Sequence, residues 1–311
     1  MGDNKEMLKE LVGLAANVPT PVQTAFVKTL GRLLGGLTAL PEGWVRRRVQ
    51  AYDDVTNARS AVAAVLAKGV AENALADPVT MQAAAEIYLP NEIRKSRNKV
   101  QIAQIAAEEI KHLETREQAA APPNEDWMNA FIRVAEDASS ENLQHLFARI
   151  LAGEVVTPGS FSRRTLRAVS ELDKEIAETF AEIWNRSVGA ELDYAPEIGR
   201  GDLYVKWKML AECGLLMGDT SARTTTRAVD IPEGGVWWPI QHQEYTLQLD
   251  VAQGDMPQWD YIRFTRVGVE LGSVLPPPNF KENIKKVGRF LATKYERKAT
   301  LLVRDAPPEA L

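Results

Sequence analysis

The sequence predicts a mostly α protein with a small α+β domain at its C-terminal end. Three observations carry that reading. Apolar residues recur at helical spacing through roughly the first 190 positions, interrupted only by short Pro- and Gly-containing stretches. Strand-like alternation is confined to the last third, above all in Tyr245, Leu247, Leu249 and Val251, which alternate with Thr246, Gln248 and Asp250. The composition is that of an ordinary globular chain: 311 residues, 45% hydrophobic, net charge −5. It excludes collagen-like, disulfide-framework and wholly disordered classes. The length favours two domains, or one large one, and suffices for a core without staples.

In chain order, residues 4–16 fit a short helix, stopped by Pro19 and Pro21. Residues 21–40 form an amphipathic stretch with Val22, Ala25, Phe26, Leu30, Leu33, Leu34 and Leu37 on one face. Pro21 suits its first turn. Gly31, Gly35 and Gly36 weaken the helix but let another backbone approach. Pro41-Glu42-Gly43 marks a turn. Trp44 to about Ala76 is helical and Ala-rich, and Asp77-Pro78 punctuates it. A short helix over 79–88 is expected to end at Leu89-Pro90, with a long charged helix over 91–118 after it. Ala119 to Glu125 is the clearest linker.

Beyond the linker, Trp127, Phe131 and Val134 share a helical face. Ser139 or Ser140 caps a helix carrying Leu143, Leu146, Phe147, Ile150 and Leu151. Thr157-Pro158-Gly159 is a turn, and Ser160 or Ser162 caps the next helix. Ser170 with Asp173 gives a capping-box signal for a helix with Ile176, Phe180, Ile183 and Trp184. Glu141, Gln144 and Arg149 fall off the apolar face and are expected at solvent or a partner. Past Gly189 come a helix over 202–213 with Gly214 as its C-terminal glycine, and a polar stretch Thr220–Arg227 that reads as a loop or exposed edge. The strand 245–251 follows, then a short helix from Thr265 to Leu271, a stiff Pro276-Pro277-Pro278 connector, an amphipathic basic helix from Phe280 to Tyr295, and a last strand at Thr300–Val303. The domains expected are an amphipathic segment 1–43, a long-helix region 44–120, a compact helical domain 125–189 and an α+β domain 200–311.

The stretch from Asp126 to about Phe180 carries a family likeness: an acid-Trp start, AEDASSE, a helix ending LFARILAGE, then PGSFS and RTL. It resembles bacterial domain-of-unknown-function family 2806. Leu40-Pro-x-Gly-Trp44, Asp77-Pro78 and Arg94-Lys-x-x-Asn98 resemble the N-terminal half of that family. A more distant likeness, through the helix Glu141–Ala152, is to the Abi-alpha family of abortive-infection proteins. That likeness implies a role in bacterial defence against phage. In the C-terminal part the order helix, Gly-Leu-Leu, strands, then Thr265-x-x-Gly268-x-x-Leu271 resembles a winged-helix module.

The residues themselves name no reaction. Cys213 has no partner cysteine and no adjacent base, and His112, His145 and His242 stand at no metal-ligand spacing. Phosphate loops and nucleophile elbows are absent from the sequence, so no catalytic residue, no cofactor and no metal is expected, and the protein is read as not an enzyme. With one cysteine, no secretory leader and no long uncharged apolar run, a cytoplasmic location is expected.

The leading expectation is a non-enzymatic anti-phage defence protein of abortive-infection type, acting through a protein partner or self-association. The face of residues 21–40 has two readings: Phe26, Leu30, Leu33 and Leu37 pack on the protein's own bundle, or Phe26, Leu30, Leu33, Leu34 and Leu37 form a membrane or partner face, with Lys28 and Arg32 near anionic headgroups at the inner membrane. The first alternative is a DNA-binding regulator using the winged-helix-like module, with Arg223 and Arg227 at phosphate; a net-acidic chain makes nucleic acid the lesser expectation. The second is an oligomeric scaffold. Trp237 and Trp238, if exposed, would be an interaction surface. The basic runs at 46–48, 94–99 and 281–289 read as solvated helix faces.

Overall fold

The computed structural model describes residues 18–34, 78–113, 121–188, 192–193, 201–217, 223–224, 229–231, 234–241, 244–251 and 259–311. The chain divides into two compact units, Met1–Ser170 and Glu171–Leu311. The division falls inside the stretch 125–189. The first unit is helical and the second is α+β, so the expected fold class, mostly α with a small C-terminal α+β part, is what the chain adopts.

Unit 1 contains α1 (Thr20–Leu33), α2 (Pro78–Glu109), a 3-10 turn (Ile110–His112), α3 (Glu125–Asp137), α4 (Glu141–Val156) and α5 (Arg163–Ser170). Helix α2 corrects the expectation of two helices: it runs through Pro90 without a break. Pro90 is exposed, so the helix gives up one backbone hydrogen bond on its solvent side, where water can replace it. Small residues set the packing of α2 on α4. Ala103, Ala106 and Ala107 on α2 and Ala148 and Ala152 on α4 are buried, and such residues let two helix axes approach closely. Around that seam lie Ile102, Ile110, Met128, Phe131, Phe147, Leu151 and Leu166. Each large side chain contributes about 1.5–3 kcal/mol by leaving water. Caps fix the helix starts. Ser140 Oγ accepts from the Leu143 amide at 3.4 Å, and Ser162 Oγ from Thr165 at 3.3 Å.

Unit 2 contains α6 (Lys174–Trp184), β1 (Ser187–Val188), β2 (Leu192–Asp193), α7 (Asp202–Glu212), β3 (Arg223–Thr224), β4 (Val229–Ile231), β5 (Gly234–Gln241), β6 (Tyr245–Val251), β7 (Trp259–Asp260), β8 (Ile262–Arg263), α8 (Arg266–Gly272), α9 (Phe280–Tyr295), β9 (Ala299–Val303) and β10 (Glu309–Ala310). Helix α6 is capped by Asp173, whose carboxylate accepts from Ile176 at 2.8 Å. Ser170 instead donates to the Arg167 carbonyl, so the capping box read from the sequence does not form.

The five-stranded sheet has the order β10-β9-β6-β5-β4 and its pairings are antiparallel. The alternation of β6 is realised: Leu247, Leu249 and Val251 are buried and Asp250 is exposed. Strand β6 is interior, paired with β5 and β9, and α9 covers it with Ile284, Val287 and Leu291. It is thus a sheet strand with a C-terminal neighbour, where the winged-helix reading had it in a hairpin leading to α8. The strands near α8 are β8, in the three-stranded order β1-β2-β8, and the bridge Leu216–Phe264.

Two glycines make the α8 corner. Thr265 caps α8 by accepting from the Gly268 amide at 3.1 Å, and its hydroxyl donates to the Gly214 carbonyl at 2.6 Å. Gly268 sits against the Leu215 carbonyl, where a Cβ would overlap it. Gly272 lies against the indole ring of Trp184 in the same way. That ring stands 5.2 Å from Phe264 and 6.2 Å from Phe180, centroid to centroid.

Candidate functional site

The amphipathic face of α1 is covered by the protein's own helices, α2, α3 and α4. Phe26, Leu30 and Leu33 are buried, and Leu34 is half-buried. The expectation that this face is presented to a membrane or a partner is therefore corrected: its apolar area is already removed from water inside unit 1. Leu37 lies outside the described residues. Arg32 donates to the Pro123 carbonyl at 3.4 Å. Among the described residues, no helix is long and apolar enough to cross a membrane.

The signature segment between Asp126 and Phe180 is used in unit 1 as a set of clamps. Arg94 reaches Asp137 at 3.3 Å and Ser139 at 3.2 Å; Lys99 reaches Glu136 at 2.9 Å, with Lys95 nearby at 3.8 Å. Behind them, the buried Asn98 amide donates to the Glu136 carbonyl at 2.8 Å. The buried Gln144 amide donates to the Ala138 carbonyl at 2.9 Å and to Asn98 Oδ1 at 3.4 Å. The Arg-Lys-x-x-Asn motif thus holds the AEDASSE turn.

A second clamp is the buried Glu154, which accepts from the backbone amides of Gly159 at 2.7 Å and Phe161 at 3.0 Å. Trp127 Nε1 donates to the Phe161 carbonyl at 2.8 Å. Gly153 leaves room for the Phe161 ring: a Cβ there would stand 2.8 Å from it. One sequence expectation changes here. Of the three residues expected at solvent or a partner, Gln144 is buried in the hub; Glu141 is exposed, and the partly exposed Arg149 pairs with Glu109 at 3.0 Å. Likewise the basic run at 94–99 ties α2 to the α3–α4 turn through Arg94, Lys95 and Lys99.

Arg223 lies in β3, its backbone paired with Asp260 of β7, and Arg227 is outside the described residues. Trp237 and Trp238 lie in β5, next to an irregularity in register between Trp237 and Ile240. His112 and His145 are exposed and far apart in sequence; His242 is outside the described residues. Among the described residues no cluster of His, Cys, Asp or Glu is arranged to hold a metal ion. Cys213 is exposed. Partial desolvation, then the charges of Asp173 and Glu212, push its thiol above the ordinary value, which suppresses the nucleophilic thiolate at neutral pH.

One exposed surface stands out in unit 2. Helix α7 buries Trp207 and Leu210. About 100° per residue places Asp202, Val205, Lys208 and Glu212 on the opposite side, and all four are exposed. Val205 is 63% exposed at the centre of that strip, and Tyr204 beside it is 42% exposed. Lys206 is held by Glu182 at 2.6 Å. What remains outward is an apolar centre with Asp202, Lys208 and Glu212 around it. A groove-reading helix needs exposed cations and amide forks instead. The sequence reading missed Val205, although its place follows from the pattern: two residues before Trp207, it falls nearly opposite the buried face.

No curated protein and no solved structure matches the chain. Residues 88–196 match the family described as "Protein of unknown function (DUF2806)", a range that takes in both clamps of unit 1 and stops short of α7.

Proposed function

We propose that the chain is a non-enzymatic protein-interaction protein whose docking element is the outward face of α7. The observation that carries this is the exposure of Val205 and Tyr204 on a helix that buries Trp207 and Leu210 on its opposite side. A solvent-facing apolar centre with charges beside it is the composition of a protein contact rather than of a phosphate contact. The bacterial anti-phage setting is supported by the likeness of residues 141–152 to the abortive-infection helix. A phage challenge of cells carrying or lacking the gene checks that setting, with reduced plaque formation as the expected result.

Replacing Val205 by a photo-crosslinking phenylalanine analogue in the full chain tests the docking reading. Cross-linking in cells should give a discrete protein adduct, and the same probe at the exposed Arg289 on α9 should not. Equal yields at the two positions would sink the reading.

A further inference from the structure

The strip on α7 has a symmetry that names its occupant. Asp202 lies three residues before Val205, and Lys208 lies three residues after it. Each is therefore about 4.5 Å along the helix axis from Val205, in opposite directions. They also fall on opposite sides of the line through Val205, about 60° away from it each. Both are exposed, and neither makes an ion pair among the described residues.

The geometry points to a second copy of this chain as the partner, packed α7 against α7 in antiparallel sense with a twofold axis at Val205. In that arrangement Val205 meets Val205. Lys208 of each copy comes level with Asp202 of the other, diagonally across the seam and within reach of a lysine side chain. A twofold contact must be self-complementary, and an opposite-charge pair placed evenly about an apolar centre meets that condition. The reverse, parallel arrangement sets Asp202 level with Asp202 and Lys208 with Lys208, so like charges disfavour it. Tyr204 lies on the Lys208 side of Val205 and widens the apolar centre.

One helix pair covers less surface than the roughly 1,200 Å² of a standard stable interface. The dimer is accordingly weak and depends on concentration. This inference rests on the docking reading above and adds to it the identity of the partner.

The test is sedimentation equilibrium of the full chain over a wide concentration range. The wild type should show a monomer–dimer equilibrium, and Val205→Glu should remove it. Asp202→Lys alone and Lys208→Asp alone should each weaken dimerisation by about tenfold, because symmetry counts each lost pair twice and like charges replace it. The double exchange Asp202→Lys/Lys208→Asp should restore association to within about threefold of the wild type. A fold defect cannot produce that rescue. A dimer unaffected by Val205→Glu, or a double exchange that fails to restore association, overturns the proposal. A monomer whose residue 205 cross-links to a different protein overturns the second-copy partner and leaves the docking reading standing. A monomer without any adduct overturns both.

Discussion

The signature segment of unit 1 and the α8 corner of unit 2 lean on different devices. In each, a turn distant in sequence must be fixed to a helix. Unit 1 does it with buried polar groups: Glu154 on the Gly159 and Phe161 amides, and Asn98 with Gln144 on the carbonyls of Glu136 and Ala138. The α8 corner of unit 2 does it by leaving atoms out, with Gly268 under the Leu215 carbonyl and Gly272 under the Trp184 ring. A polar clamp is specific because each lost bond strands a buried partner. A glycine contact is specific because nothing larger fits. The two units should therefore fail differently under substitution.

The sharpest way to break this contrast is Gly268→Ala. The added Cβ meets a backbone carbonyl that cannot rotate away, so a loss of about 3 kcal/mol is expected in chemical denaturation, with Gly272→Ala close behind. A loss below about 1 kcal/mol would show that the corner can relax and that the steric account of unit 2 is wrong. The polar account of unit 1 is tested next by Glu154→Ala, which strands the buried Phe161 amide and frees the part-buried Gly159 amide, and should cost about 2 kcal/mol. Glu154→Gln keeps one acceptor oxygen and should cost about half of that. If the Gln and Ala variants are equally stable, Glu154 is not acting through its acceptors.

The smallest effect expected is a pH dependence in unit 2, at the charged clasp between α9 and β10. Lys285 and Lys281 on α9 reach Glu309 at the start of β10. Hydrogen bonding to Lys285 holds the Glu309 carboxyl below its ordinary value, and the same bond raises Lys285. The sign follows from linkage. The carboxylate's contribution is present above its unfolded-state pKa of about 4.3 and is lost as pH falls through the lower folded-state value. The lysine's is present below its unfolded-state pKa of about 10.4 and is lost as pH rises through the higher folded-state value. Hydrogen exchange at the Leu311 amide, which donates to the Ala299 carbonyl at 3.0 Å, should accelerate at acid pH relative to Leu301. In Glu309→Gln it should be faster already at neutral pH, by a few-fold. No difference between the two amides would mean the clasp is solvated and idle.

The elements legible in the sequence were those whose signals are local. The Ser140 cap, the positive-φ Gly214 that ends α7, the β6 alternation and the α9 face each follow from a few neighbouring residues. What was not legible depends on distant partners. Pro90 reads as a breaker because the sequence cannot say that its side of the helix faces solvent. The α1 face reads equally as core or as a membrane face because amphipathicity does not reveal what covers it. Gln144 reads as solvent-facing because its partner Asn98 lies 46 residues away. The α7 strip was half legible. The helix over 202–213 and its C-terminal glycine are readable locally, while the apolar Val205 opposite Trp207 is a signal that the reading passed over.

One clasp in unit 2 bears on the order of folding. The buried Asn283 amide on α9 donates to the carbonyls of Asn185 at 2.8 Å and Ser187 at 3.0 Å, spanning 98 and 96 residues. Closing a loop of that length carries an entropy cost that grows with the logarithm of its span and is met before the contact stabilises anything. During synthesis, the end of α6 and strand β1 leave the ribosome well before α9 exists to hold them. Pairings of such high sequence separation are characteristically slow to form. The segment following Trp184 therefore waits, unclasped, until α9 has been made.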